Sequence, residues 1–203
     1  MTFYRTPKIS VMEKWRDETP SDFRFAVKAW RGITHSKRLQ DVSESVRKLR
    51  TDLSPLMAKI SAVLWQLPAG LHCDLDLLKR FATVLADWPD VPHAIEFRHK
   101  SWFDDPVRCC LENFGLANVL SHAGRWPMWD AVASSLVYVR LHGAPQTYAS
   151  GYSDKDLTSW AVKIKRWLKE GRIVHVYFDN DADGHAPYDA LSLREKILAK
   201  PQK

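Results

Sequence analysis

Residues 136–142 read LVYVRLH, and this stretch decides the fold class. Side chains alternate between the two faces of a β-strand, so Tyr138, Arg140 and His142 share one face, and the valines and leucine between them share the other. One face of this strand is therefore apolar and the other carries polar groups. A strand with two chemically different faces separates two different environments.

Other short segments have the same composition. Residues 23–28, 94–98 and 173–179 repeat the division into an apolar and a polar face, and residues 62–66 and 116–121 are apolar runs rich in β-branched or aromatic residues. The sequence thus predicts six strands.

Helical patterns fill the intervals between these strands. Apolar residues at spacings of three and four predict a long helix over residues 39–56. A second long helix is expected to begin at Ser153, with Asp156 as its capping partner, and to end at Gly171. Shorter helices are expected after Asp74, Pro106 and Pro187 and around residues 11–15, the first three because a capping residue or a proline precedes apolar residues at helical spacing.

Strands that alternate with helices imply parallel strands joined by crossovers, as in a doubly wound sheet or a (β/α) barrel. Both faces of a doubly wound sheet are covered by helices, which requires nearly uniform apolar strands. A barrel strand turns one face to helices and the other to a lumen that can be polar at its C-terminal mouth. The two-faced strands therefore favour a TIM-barrel-like (β/α) barrel, and a length of 203 residues fits one domain over 1–203.

Composition indicates which kind of partner the protein binds and where in the cell it is located. The formal net charge of +6 favours anionic partners through long-range attraction. Three cysteines show no disulfide-like pattern, which fits a reducing compartment. The sequence has no signal peptide and no apolar run long enough to cross a bilayer, so we expect a cytoplasmic protein with no membrane partner.

Polar side chains gather at the predicted ends of the strands, and parallel strands would bring those ends to one rim. The expected anion ligands are Lys28, Arg98, Arg140 and His142, the candidate acid and base are Glu96 and Asp179, and His35, Gln66 and Asn180 are further rim residues. Lysine, arginine and histidine in one concavity can hold a phosphate or a carboxylate by charge-assisted hydrogen bonds. Two carboxyl groups can serve as acid and base if burial separates their proton affinities.

A structural interpretation competes with the functional one, because charges inside a lumen can simply neutralise one another as ion pairs. No HxH or HExxH spacing is present, so no metal site is predicted. No particular cofactor is implied, and whether the protein is an enzyme stays open. Three functions fit: binding or processing of a phosphate-containing ligand, a non-enzymatic nucleic-acid-binding or scaffold module, and glycoside hydrolysis by Glu96 and Asp179.

Several motifs occur in order along almost the whole chain. They are FRFAVKA at 23–29 with ITH at 33–35, QLP at 66–68, EFRH at 96–99 with SWF at 101–103, YVRLHG at 138–143, and YFDND at 177–181 followed by Gly184 and by AP at 186–187. Together they closely resemble the YecE-like family, known as domain of unknown function 72.

The resemblance implies a TIM-barrel-like fold in a cytoplasmic, mostly bacterial family with no established biochemical activity. Fold-level similarity to apurinic endonuclease barrels has prompted suggestions of nucleic-acid binding, which is an analogy. Family members usually have two further strands before the motif Thr2-Phe3-Tyr4-Arg5. This chain shows roughly six of the eight βα units of a closed barrel. The resemblance thus predicts a domain truncated at its N-terminal end, or a start codon placed too late.

Overall fold

Six parallel strands alternate with helices in the computed structural model, which describes residues 2–124 and 126–199. The strands are β1 (Phe25–Lys28), β2 (Ile60–Gln66), β3 (His93–Glu96), β4 (Ala117–His122), β5 (Leu136–Leu141) and β6 (Ile173–Phe178). The α-helices are α1 (Ile9–Glu18), α2 (Ser43–Asp52), α3 (Leu75–Ala86), α4 (Asp105–Asn113), α5 (Asp154–Lys169) and α6 (Ala186–Leu198). All six predicted strands are therefore confirmed, with small differences at their ends.

Strand pairing follows the order of the chain from β1 to β6, and each neighbouring pair is parallel. A parallel connection needs a crossover, and a helix lies between the strands of most pairs. The α/β class and the parallel sheet expected from the sequence are confirmed.

The chain divides into two compact units, Met1–Asn118 and Val119–Lys203. The core of unit 1 contains Trp65 of β2, whose ring meets that of Phe81 in α3 edge-to-face at 5.2 Å. Trp65 thus points from the sheet toward α3. In unit 2, Trp160, Ile164 and Trp167 of α5 pack with apolar residues of β5 in one buried cluster.

Helix α5 begins and ends where the sequence indicates. Ser153 accepts a hydrogen bond from the Asp156 backbone, and the Asp156 side chain accepts one in return from the Ser153 backbone. This reciprocal capping box satisfies two backbone N–H groups that the first helical turn leaves without partners. Gly171 follows the helix with a φ of 77°, a left-handed conformation that glycine adopts without strain.

The expected helix over residues 39–56 is shorter than its apolar pattern. Leu39 has a φ of 67°, α2 covers only Ser43–Asp52, and a 3₁₀ segment follows over Ser54–Lys59. Pro55 at the start of that segment lacks a backbone N–H, which favours a break in the α-helix. Leu39, Leu53 and Leu56 are nevertheless buried, so the pattern predicted burial correctly and helix length wrongly.

No helix within the described part of the chain combines the length and the apolar character needed to cross a membrane.

Candidate functional site

The carboxyl ends of three neighbouring strands carry polar residues in unit 1. Lys28 is the last residue of β1, Gln66 of β2 and Glu96 of β3. Gln66 and Glu96 are direct partners in the parallel register of β2 and β3. Because parallel strands end at the same edge of a sheet, these side chains meet there together with Arg98, two residues beyond Glu96.

Gln66 joins two cations through a single oxygen. Lys28 Nζ donates a hydrogen bond to Gln66 Oε1 at 2.8 Å, and Arg98 Nη2 donates to the same atom at 3.4 Å. Lysine and arginine side chains only donate hydrogen bonds, so the amide oxygen of Gln66, and not its nitrogen, faces them. The sequence-predicted residues Lys28, Gln66 and Arg98 are thus brought together around one acceptor.

Glu96 and Arg98 form an ion pair in this cluster. The Glu96 side chain is completely buried and that of Arg98 is only 10% exposed. A buried carboxylate is tolerated only when a partner compensates the loss of hydration, and Arg98 supplies that compensation. This is the structural ion pair that the sequence left open as the competing interpretation, and a catalytic role of Glu96 stays a prediction.

His35 lies close to the same cations. It belongs to a π-helical turn over Gly32–Ser36, and its Nδ1 is 2.8 Å from Thr34 Oγ1. Partial burial lowers the pKa of His35, and the positive charges of Lys28, Arg31 and Arg98 lower it further. The imidazole is consequently neutral near pH 7, and its surroundings are positive.

The N-terminal segment lies over the end of β1. Thr2 Oγ1 donates to the carbonyl of Lys28 at 2.6 Å, and the backbone N–H of Arg31 donates to the carbonyl of Phe3 at 2.8 Å. These bonds place the ring of Phe3 beneath Lys28, whose Nζ is 4.0 Å from the ring centroid. We call Lys28, His35, Gln66, Glu96 and Arg98, with Phe3 and Arg31, the unit 1 cluster. Phe3 and Arg31 were not predicted as site residues, because the backbone hydrogen bond that joins them leaves no pattern in the sequence.

A second group of predicted residues meets within unit 2. Asp179 follows β6, and its Oδ2 is 2.8 Å from Arg140 Nη2 and 3.3 Å from His142 Nδ1. Arg140 and His142 are two residues apart, so both side chains point to the same face of the strand. A single carboxylate thus holds both of the predicted anion ligands of this unit.

Asn180 is buried in a polar network next to Asp179. Its Nδ2 donates to Asp189 Oδ2 at 2.7 Å and to the carbonyl of Ser150 at 3.1 Å. Asp189 also accepts from the backbone of Tyr152, at 3.1 Å. These bonds tie the segment after β5 and Asn180 to the first turn of α6, and the expected place of Asn180 at the rim stays a prediction.

The hydroxyl of Tyr152 continues this network. Its Oη is 2.9 Å from His122 Nδ1 and accepts a hydrogen bond from the backbone N–H of Gly143 at 3.1 Å. Burial raises the pKa of Tyr152 and lowers the pKa of His122, so the two side chains form a neutral hydrogen-bonded pair. Thirty positions separate these residues in the sequence, and no local pattern indicated their contact.

Histidine, cysteine and carboxylate side chains occur throughout the part of the chain that the structure describes. No group of three or more His, Cys, Asp or Glu side chains there is arranged to hold a metal ion.

Comparison with known proteins places the chain in a family. The family model described as "Protein of unknown function DUF72" matches residues 1–203. The UPF0759 protein YunF of Bacillus subtilis is 26% identical over 227 residues, covering 97% of this chain and 80% of that protein. The UPF0759 protein YecE of Escherichia coli K12 is 33% identical over 103 residues, which are 50% of this chain and 37% of that protein.

Two solved structures have the same fold. A DUF72 family protein of Thermotoga maritima MSB8 superposes with a TM-score of 0.83 at 24% identity, covering 98% of this chain and 83% of that chain. A DUF72 family protein of Enterococcus faecalis V583 also gives a TM-score of 0.83, at 20% identity and with 99% and 84% coverage. With the family match over its whole length and the fold in agreement, this chain belongs to the DUF72 family of proteins of unknown function.

Proposed function

We propose that the unit 1 cluster binds a phosphate-containing anion. One observation carries the proposal: Lys28 and Arg98 direct their donors at the same oxygen of Gln66. Two cations that converge on one oxygen acceptor have the geometry that a phosphate oxygen requires. Lysine contributes a compact charge, and arginine contributes a planar fork that matches phosphate and carboxylate groups.

The charge of the cluster supports an anionic ligand. Lys28, Arg31 and Arg98 bring three positive charges close to His35, and Glu96 is the only carboxylate among the residues of this cluster. The formal net charge of +6 adds long-range attraction for an anion. A phosphate group would therefore enter a positive environment and leave the ion pair of Glu96 in place.

Unit 2 supports anion binding less directly. Arg140 and His142 both contact the carboxylate of Asp179, which would compete with an incoming anion. Arg98 also pairs with a carboxylate, Glu96, but Arg98 and Lys28 share a neutral acceptor in Gln66. We rest the proposal on that shared acceptor, and treat Arg140 and His142 as additional candidates.

Glycoside hydrolysis by Glu96 and Asp179 is the weaker alternative. A general acid must hold a proton at working pH, usually because burial in apolar surroundings disfavours its charged form. Glu96 instead faces the guanidinium of Arg98, which stabilises a carboxylate. Binding of a phosphate-containing ligand, with or without its processing, agrees better with this ion pair.

The strand order supports the finer assignment of the fold. In a TIM-barrel-like (β/α) barrel, consecutive parallel strands are neighbours and ligands bind at their carboxyl ends. The six strands follow that order, and Lys28, Gln66 and Glu96 stand at the carboxyl ends of theirs. We propose on this basis that the chain has a barrel-type architecture with its ligand site at that end.

Titration calorimetry with inorganic phosphate and pyrophosphate tests the proposal. We expect Lys28→Met to weaken binding about tenfold or more, because a charge-assisted hydrogen bond is lost while the side-chain volume is kept. Lys169→Met removes an equally positive, exposed side chain from unit 2 and is expected to bind as the wild type does. Equal affinities of Lys28→Met and wild type, with both folded, would overturn the proposal.

A further inference from the structure

We propose that the cleft beside the unit 1 cluster holds a base of a single-stranded nucleic acid whose phosphate lies at Lys28 and Arg98. This inference rests on the proposed function and specifies its ligand. It depends on the cleft, on its continuity with the cluster and on the alternation of aromatic and cationic side chains along both.

The cleft is bordered by the N-terminal segment and the first turns of α1. Residues 4–8, Val11 and Trp15 line a volume of about 830 Å³. Binding sites for small organic ligands usually have volumes of about 300–1,000 Å³ and mostly apolar walls with a few polar groups. Tyr4, Val11 and Trp15 supply apolar surface here, and the size suits a nucleoside.

Phe3 and Tyr4 connect the cleft to the anion-binding cluster. The Phe3 ring lies under Lys28 Nζ, and its centroid is 5.1 Å from that of Tyr4. The guanidinium carbon of Arg31 is 6.0 Å from the Tyr4 ring centroid. A nucleic-acid strand that leaves Lys28 in this direction passes directly onto Tyr4. This residue is 64% exposed and therefore accessible for stacking.

The charges of the cleft have one sign. Among the described residues that line it, Arg5 and Lys8 are the charged ones, and both are exposed. Together with Arg31 they extend the positive charge of Lys28 and Arg98 beyond a single phosphate. A lone phosphate would use only the first two cations, whereas a strand carries a phosphate at each nucleotide.

A single strand fits this surface better than a duplex does. Aromatic rings stack on bases only when the bases are unpaired, and such stacking tolerates any sequence. Cations that alternate with aromatic rings along one track are typical of proteins that bind single strands. We therefore expect little preference among sequences and a clear preference for unpaired strands.

Fluorescence anisotropy with a labelled oligothymidylate of about 12 nucleotides tests the inference, since single-strand sites of this type span about 4–16 nucleotides. We expect Tyr4→Ala to weaken binding about tenfold by loss of stacking. The double variant Arg5→Ala/Lys8→Ala should weaken binding and reduce its dependence on salt, because fewer counterions are released. Thymidine monophosphate, which spans less of the track, should compete only weakly.

Matched controls come from unit 2. Tyr188→Ala removes another exposed tyrosine, and Lys169→Ala/Arg194→Ala removes two exposed cations; both should bind as the wild type does. If Lys28→Met weakens phosphate binding while Tyr4→Ala and Arg5→Ala/Lys8→Ala leave oligothymidylate affinity unchanged, the inference is wrong and the proposed function stands. If Tyr4→Ala weakens oligothymidylate binding but Lys28→Met changes neither ligand, the proposed function fails, and with it the placement of the phosphate. Equal affinity for a duplex of the same length would also overturn the inference.

Discussion

Lys28 Nζ and Gln66 Oε1 are 2.8 Å apart, so a hydrogen bond between side chains joins the carboxyl ends of two neighbouring strands. The same oxygen receives Arg98, and Arg98 neutralises the buried Glu96. Lys28 and the Glu96–Arg98 ion pair are thus linked through one amide. Substitutions at these positions are expected to separate ligand binding from stability.

Removal of Arg98 should destabilise the protein. Arg98→Ala leaves the buried carboxylate of Glu96 without this partner, and breaking a buried pair in this way costs about 3–5 kcal/mol. The double variant Arg98→Ala/Glu96→Gln removes the charge as well and should recover part of the loss. Urea unfolding of the four members of this cycle measures the coupling. Additive losses would show that the ion pair does not contribute to folding.

The pH dependence of stability should report a buried histidine. Trp65 Nε1 donates to His93 Nδ1 at 3.2 Å, and His93 Nε2 is 2.8 Å from the carbonyl of Trp88. The neutral imidazole with its proton on Nε2 satisfies both contacts, whereas a second proton on Nδ1 would face the Trp65 donor. Burial correspondingly lowers the pKa of His93 below its usual value.

A lowered histidine pKa means that the unfolded chain binds the proton more readily than the folded protein does. The contribution of His93 to the free energy of unfolding is complete above the pKa of histidine in the unfolded chain, about 6.5. It declines as the pH falls below that value. Burial also lowers the pKa values of His35, His122 and His175, which adds to the decline. Urea midpoints between pH 7.5 and 5 should therefore fall with pH, and less steeply in His93→Gln. A flat wild-type profile would contradict this.

Two glycines allow two costs of a glycine-to-alanine substitution to be measured separately: the cost of the backbone conformation and the cost of steric crowding. Gly143 and Gly171 both have positive φ, at 89° and 77°. A Cβ at Gly143 would lie 2.7 Å from the carbonyl oxygen of Ser150, whereas one at Gly171 would have no atom within 4 Å. Gly171→Ala should cost about 1–2 kcal/mol from its backbone conformation. Gly143→Ala should cost clearly more, as measured by thermal unfolding; equal costs would rule out the steric contribution.

The capping box of α5 should contribute measurably to stability. Ser153→Ala removes the side-chain oxygen that accepts from the Asp156 backbone, a loss of about 1 kcal/mol. Ser159→Ala lies in the same helix, where the serine hydroxyl donates to the carbonyl of Lys155, and is expected to change stability little. The difference between the unfolding free energies of Ser153→Ala and Ser159→Ala measures the contribution of the cap to stability. No difference would mean that α5 does not depend on the cap.

The features that could be predicted from the sequence are those that depend on local periodicity, namely the strands and the residues at their ends. The alternation in LVYVRLH identifies a strand, and Lys28, Gln66 and Glu96 could be expected at one edge because each ends a parallel strand. The predicted length of the helix over residues 39–56 was wrong. Buried leucines continue at helical spacing through Leu39, which is left-handed, and through a 3₁₀ segment, so the apolar pattern is longer than the helix. Burial constrains the spacing of apolar residues more tightly than it constrains the backbone between them.

Contacts between distant residues left no signal in the sequence. Phe3 is held near Lys28 by a backbone bond from Arg31 and by the hydroxyl of the neighbouring Thr2. His122 contacts Tyr152 across thirty positions. The ion pairs of Glu96 and of Asp179 could be anticipated as one of two alternatives, but the choice between a ligand and a structural partner needs the geometry.

We propose that Lys28 and Arg98 present their positive charge to an anion at Gln66, and the substitution Gln66→Glu tests this most directly. A carboxylate at this position would pair with both cations in nearly unchanged geometry. Titration with pyrophosphate should show affinity reduced about tenfold or more in Gln66→Glu. The control Gln40→Glu adds the same charge at an exposed position of unit 1 and should leave the affinity unchanged. Wild-type affinity in a folded Gln66→Glu protein would contradict the claim.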